Sequence, residues 1–115
     1  GTDVAVNFRF DPVLLPISQA STLGLIVNEV VTNAVMHGMP VSGTPELFVD
    51  FSRLEGTNHL VVRDNGPGMR ASGRMEEGLG LTIVGTLVST LKGTCTFRDE
   101  NGTVFELAFP ATEIG

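Results

Sequence analysis

The stretch LVVRDNGPGM, residues 60–69, changes character at its fifth position, where an apolar run gives way to a carboxylate and two closely spaced glycines. Leu60, Val61, Val62 and Arg63 have the composition of a buried strand, and the turn-forming residues from Asp64 onward end it at a sheet edge or cleft. Gly66 and Gly68 can take positive φ and carry no Cβ, so the backbone there can come close to a ligand. Pro67 between them fixes one φ and limits the freedom of the loop. Asp64 is then a carboxylate held in place and partly removed from water, suited to accept a hydrogen bond from an exocyclic amine. The same five residues also make an ordinary turn between strands. What surrounds them decides between the two.

Upstream, Val4, Val6, Phe8 and Phe10 alternate with polar or small residues, which predicts a strand with one packed face. The segment from Asp11 to Pro16 interrupts it. Ser18 or Ser21 is placed to cap a long helix that continues through Leu23, Ile26, Val27, Val30, Val31, Ala34 and Val35 until Gly38 and Pro40 stop it. Glu29 and Asn33 are four residues apart and share a face of this helix, with Met36 and His37 a turn further on. Asn28 and Thr32 read as its wet face. Glu46 to Leu54 is a second strand, and Glu55 to Asn58 turn the chain into the Leu60 strand as a hairpin.

Downstream, Arg70 to Glu77 holds few apolar residues and ends at Gly78, which predicts a mobile cover carrying Arg70 and Arg74. Leu79 to Leu91 resumes a helical pattern, closed by Lys92 and Gly93. Thr94 to Arg98 and Thr103 to Phe109 are strands around the turn Asp99 to Gly102. This order predicts an α+β fold: a two-layer sandwich of a mixed β-sheet with its helices on one face. A doubly wound dinucleotide fold would need repeated βαβ units and a glycine fingerprint after the first strand, and the chain has neither.

The 115 residues, 42% hydrophobic and 17% charged, suit a single domain spanning 1–115. A net charge of −6 argues against nucleic acid or an anionic membrane surface as the main partner. One cysteine, Cys95, excludes an internal disulfide and any multi-cysteine metal site, and its neighbours Thr94, Thr96 and Phe97 suggest strand packing. No run approaches the ~18 apolar residues of a membrane span, and no signal-peptide pattern opens the chain. A cytoplasmic location is expected, whether or not the parent protein is membrane-anchored. The start at Gly1 without a Met suggests excision from a longer chain.

Three segments acquire chemistry when read together. An amide oxygen from Asn33 with phosphate oxygens is a sensible coordination set for Mg²⁺, which takes few protein ligands and keeps several waters. Glu29, one turn away, is placed to orient a metal-bound water or to act as a base toward an attacking group. Gly78 and Gly80, flanking Leu79 and followed by Leu81, permit backbone amides to approach phosphates at a helix N-terminus.

In this order, Asn28 to Ala34 resembles the N box, Asp64 to Gly68 the first glycine box, and Gly78 to Leu81 the second glycine box of one ATP-binding family. That family comprises DNA gyrase, the heat-shock chaperones, sensor histidine kinases and mismatch-repair proteins, and the resemblance covers nearly the whole chain. Three ordered boxes are far more specific than one. Gly102, Thr103 and Phe105 are similar to the family's late glycine-threonine strand, and the run Leu23 to Glu29 is most similar to bacterial sensor histidine kinases. The resemblance implies a Bergerat-type fold with ATP and Mg²⁺ as cofactors. It implies that Glu29 assists catalysis, Asn33 holds Mg²⁺, Asp64 reads the adenine amine and Thr103 supports Asp64 or a water. Gly66, Gly68, Met69, Gly78, Leu79, Gly80 and Leu81 then border the nucleotide, and His37 stays open between a structural role and a phosphate contact.

The implied activity is transfer of the ATP γ-phosphoryl to a histidine outside these residues, in a phosphoacceptor dimerisation domain, with a response regulator downstream and a homodimeric full-length protein. Neither His37 nor His59 has the acidic helical context of a phosphoacceptor. Met36 stands where histidine kinases usually carry a basic residue, and a lid arginine or Lys92 is the available replacement. Two alternatives share the same residues: an anti-sigma-factor-type serine/threonine kinase that captures a protein partner, and a degenerate, non-catalytic phosphotransfer domain.

Overall fold

The computed structural model describes residues 3–37, 43–68 and 79–112. The elements follow as β1 (Ala5–Phe10), α1 (Ile17–His37), β2 (Glu46–Leu54), β3 (Thr57–Asp64), α2 (Leu79–Thr90), β4 (Thr94–Asp99) and β5 (Thr103–Pro110). The strands form one sheet in the order β1, β2, β3, β5, β4, in which only β1 and β2 run parallel. The parallel pair follows from α1: a chain that leaves one strand and crosses back through a helix re-enters the sheet in the same direction. The tight β2–β3 hairpin turns on Glu55 and Gly56, both at positive φ as a two-residue turn requires. The fold is the mixed-sheet α+β sandwich that the element order predicts.

Period decides what each element buries. Leu47, Val49 and Phe51 on β2, Leu60 and Val62 on β3, and Phe105, Leu107 and Phe109 on β5 recur every second residue and face the helices. Ile26, Val30 and Ala34 on α1 and Val84, Val88 and Leu91 at α2 recur every three or four and face the sheet. The opposite face of the sheet mixes charged residues with Phe48, Val61 and Val104. There Arg9 holds Asp50 and Asp11, and Arg98 holds Glu100 and Glu106, exposed pairs worth ~0–1 kcal/mol each.

Three local expectations are revised. Helix α1 begins at Ile17, with the Pro16 carbonyl accepting the Ala20 amide at 2.9 Å, so Ser18 and Ser21 lie inside the helix and do not cap it. A proline costs nothing there, because the first turn has no partner for its N–H groups anyway. At the end of α2 the left-handed residue is Lys92, at φ 57°, and not Gly93. The Gly93 amide bonds the Val88 carbonyl and the Lys92 amide bonds that of Ser89, the paired closure of a Schellman motif.

The third revision concerns β1. Val6, Phe8 and Phe10 pair with Leu47, Val49 and Phe51 and therefore point to the helix side, yet they are 43%, 67% and 57% exposed. The alternation is right and the packing is partial, because the helices leave β1 largely open: Val4 packs against the core, while Val6, Phe8 and Phe10 do not enter it.

Candidate functional site

The direction of each element brings the three sequence segments to one end of the sandwich. Asn58, Leu60, Val62 and Asp64 form the buried row of β3, so Asp64 closes the row that faces the helices. Helix α1 starts at the other end of the sheet, where Gln19 Nε2 donates to Thr112 Oγ1 at 2.9 Å, beyond the last residue of β5. Its 21 residues, about 30 Å long, then carry Glu29, Asn33 and His37 toward the Asp64 end. Helix α2 runs the other way. Its C-terminus feeds β4 at Thr94, opposite Ala108 and far from Asp64, so its first turn, with Leu79, Gly80 and Leu81, lies at the Asp64 end. The amides of that turn have no partner within the helix, and the helix dipole makes this end positive.

Asp64 is 3% exposed, and one of its carboxylate oxygens is fixed from two sides. Oδ1 accepts the Gly66 amide at 3.0 Å, closing the glycine loop on itself, and the Thr103 amide at 3.0 Å from the start of β5. Two backbone donors on a single oxygen set the plane of the carboxylate, and Oδ2 is thereby oriented. Thr103, also buried, supports Asp64 through its backbone amide. The β4–β5 turn packs directly behind: a Cβ at Gly102 would collide with the Asp64 carbonyl oxygen, and its φ of 130° favours glycine as well. Gly68 sits at φ 91°, and a Cβ there would come within 3.0 Å of the Asp99 carboxylate.

Asn65 does more than turn the chain. Its Oδ1 accepts the Glu46 amide at 2.8 Å and its Nδ2 donates to the Thr44 carbonyl at 2.9 Å, so one side chain clips the approach to β2 onto the glycine loop. Neither this clip nor the part played by Asp99 and Gly102 is visible from spacing alone. The Asn101-Gly102 pair is the one local signal, since those residue types mark positive φ.

On α1, Glu29 and Asn33 are half-buried, whereas Asn28 and Thr32 are exposed, as the wet-face reading requires. Asn33 follows the fully buried Ile26 by two turns, which sets it on the flank that enters the core. Met36 is 69% exposed. Lys92 cannot supply the cation that Met36 lacks, because it lies past the C-terminus of α2 at the far end of the sheet. His37 is the last residue of α1. Met69, Gly78, the cover from Arg70 to Glu77, and the stop at Gly38 and Pro40 lie outside the described residues. No described helix is long and apolar enough to cross a membrane.

The arrangement offers an oriented buried acceptor, a neutral amide and a carboxylate one helical turn apart, and a helix N-terminus, all at one end. A purine nucleotide with its cation fits this donor set: an acceptor for the base amine, an oxygen for the metal, amides for phosphates. The chain is 28% identical over 111 residues to the nitrate/nitrite sensor protein NarX of Escherichia coli, covering 95% of this chain and 18% of that one. It is 31% identical over 105 residues to the signal transduction histidine-protein kinase/phosphatase UhpB of Salmonella typhimurium, covering 91% and 20%. The solved histidine kinase domain of the Erythrobacter litoralis blue-light activated histidine kinase EL346 superposes with a TM-score of 0.83 at 29% identity, covering 93% of this chain and 51% of that one. The chain therefore spans about a fifth of those two relatives and half of the solved domain. Residues 18–113 match the family described as histidine kinase-, DNA gyrase B- and HSP90-like ATPases, and the chain belongs to that family.

Proposed function

We propose that these residues form the ATP-binding catalytic domain of a sensor histidine kinase, which delivers the γ-phosphoryl to a histidine elsewhere in the full-length protein. Binding of ATP follows from the family. The observation that carries the finer reading is Asp64, buried and pinned through one oxygen by Gly66 and Thr103, at the same end as Glu29, Asn33 and the start of α2. Asp64 accepts from the purine amine. The first amides of α2 receive phosphate oxygens, and Asn33 gives its amide oxygen to Mg²⁺. When bound, Mg²⁺ neutralises charge on the phosphates. Glu29, one turn away, orients the attacking group or takes its proton. His37 and Gly80 border the phosphates, together with Met69 and Gly78 of the glycine boxes. The partners are a phosphoacceptor dimerisation domain, a response regulator and a second copy of the full-length protein, which works on the cytoplasmic side.

The relatives reported above are named as sensor and histidine-kinase proteins, which favours this reading over an anti-sigma-type serine kinase or a degenerate domain. The test has two parts. In the full-length natural protein, Asn33→Asp shifts the Mg²⁺ dependence of nucleotide affinity, while Glu29→Gln leaves affinity in place and slows phosphoryl transfer. The phosphate formed is acid-labile, as expected on histidine. Unchanged turnover in both variants, or an acid-stable phosphoserine on a captured partner, overturns the assignment.

A further inference from the structure

Among the described residues the helix side of the sheet is not fully roofed. The two described helices, about 10 Å apart, cover roughly four strands spaced ~4.8 Å, and the sheet has five. Helices α1 and α2 pack against each other, and the strand left most open is β1, all six residues of which are exposed. Its row of Val6, Phe8 and Phe10 is the floor of an open trough. The wall is the flank of α1 given by Ala20, Gly24, Val27 and Val31, at helical spacing, with no bulky or charged side chain among them. At one end the trough deepens into a cavity of about 390 Å³ lined by Phe10, Val13, Ala20, Gly24 and Val27 among others. A Cβ at Gly24 would meet nothing within 4 Å.

Phe8 and Phe10 alone leave about 250 Å² of ring and stem in water, taking ~200 Å² for a whole Phe. Val6 on the same strand row, and Ile17 and Val35 at the helical spacing of the wall, are 43%, 85% and 45% exposed and add to this apolar surface. The shape selects the occupant. The floor lies one sheet-to-helix spacing below the outer surface of α1, so a second copy approaching with the same relief is held off by its own α1. An added strand at the β1 edge extends the sheet and leaves the row open. An element of helix diameter reaches the floor.

We infer that this trough is the seat of an amphipathic α-helix contributed by polypeptide outside these 115 residues in the same full-length protein, which lays its apolar side on Val6, Phe8 and Phe10 and its small residues against Gly24. The relatives are longer than this chain, so their flanking polypeptide can supply such a helix.

The experiment uses the full-length natural protein with Cys95 and any other native cysteine replaced by Ala, and a single cysteine introduced as Gly24→Cys in the wall or as Thr32→Cys on the wet face. Maleimide labelling at position 24 is expected about tenfold slower than at 32, equivalent to about 1.4 kcal/mol of occupancy. Adding Phe8→Asp, a change at an exposed position, should restore fast labelling at 24. It should also raise hydrogen exchange in one helical segment outside residues 1–115. Equal labelling at the two positions overturns the inference. So does protection that disappears on dilution to monomer, since that result assigns the trough to a second copy.

Discussion

Replacing Asp64 separates the two jobs of its carboxylate. In Asp64→Asn the amide oxygen takes over the Gly66 and Thr103 amides, since only an acceptor satisfies both, and the amide nitrogen is forced into the place of Oδ2. Two charge-assisted bonds become neutral ones, a loss of about 1 kcal/mol each, so stability falls by about 2 kcal/mol. In Asp64→Ala the buried Thr103 amide and the half-buried Gly66 amide lose their acceptor, at about 1–3 kcal/mol each, so the loss is about 4 kcal/mol. A 115-residue domain has roughly 6–17 kcal/mol to lose, so both variants fold. Nucleotide binding orders them differently. The Asn variant turns a donor toward the base amine and forfeits a charged acceptor, about 3–4 kcal/mol or a factor of about 10²–10³ in Kd. Urea denaturation measures the first quantity and calorimetric titration with ATP the second. The reasoning fails if Asp64→Asn binds ATP with wild-type affinity, or if Asp64→Ala is no less stable than Asp64→Asn.

The remaining predictions concern the frame. Gly102→Ala sets a methyl against the Asp64 carbonyl at a positive φ and should cost about 3 kcal/mol, read by thermal or urea melting, with ATP affinity falling in parallel. Lys92→Gly relieves a side chain held at φ 57° in the Schellman position and should raise stability by about 0.5–1 kcal/mol. Burial pushes the Cys95 thiol pKa up. Its folded form favours the neutral thiol, so its contribution is intact below the unfolded pKa and lost as pH rises past it. Between about pH 7.5 and 9.5 the wild type should therefore lose more stability than Cys95→Ala, and iodoacetamide should modify Cys95 more slowly than free cysteine.

The sheet and both helices were legible because their periods are clean. Leu47, Val49 and Phe51 alternate, while Ile26, Val30 and Ala34 step by four, and each set buries one face. The glycine loop was legible because Asp64, Gly66 and Gly68 combine a charge with backbone freedom after an apolar run. What escaped is what period cannot encode. Alternation in β1 marks a face suited to burial, but whether anything covers it depends on how many helices the sheet receives. The Ser18 and Ser21 caps failed because a proline start leaves the following serines inside the helix. The Asn65 clip and the Thr103 amide join positions 19 and 39 residues apart in sequence, so only the folded register reveals them.

The seating of Gly102 against the Asp64 backbone has a consequence for anyone wishing to retune the base this protein accepts. In the proposed role of Asp64 as base reader, that group is held from the rear by a hairpin bend that the nucleotide need never touch, so altered preference would arise from residues remote from the ligand. A library confined to the visible lining of the cleft would miss them. Varying Asp99, Asn101 and Gly102 alongside the lining adjusts the tilt of the reader itself.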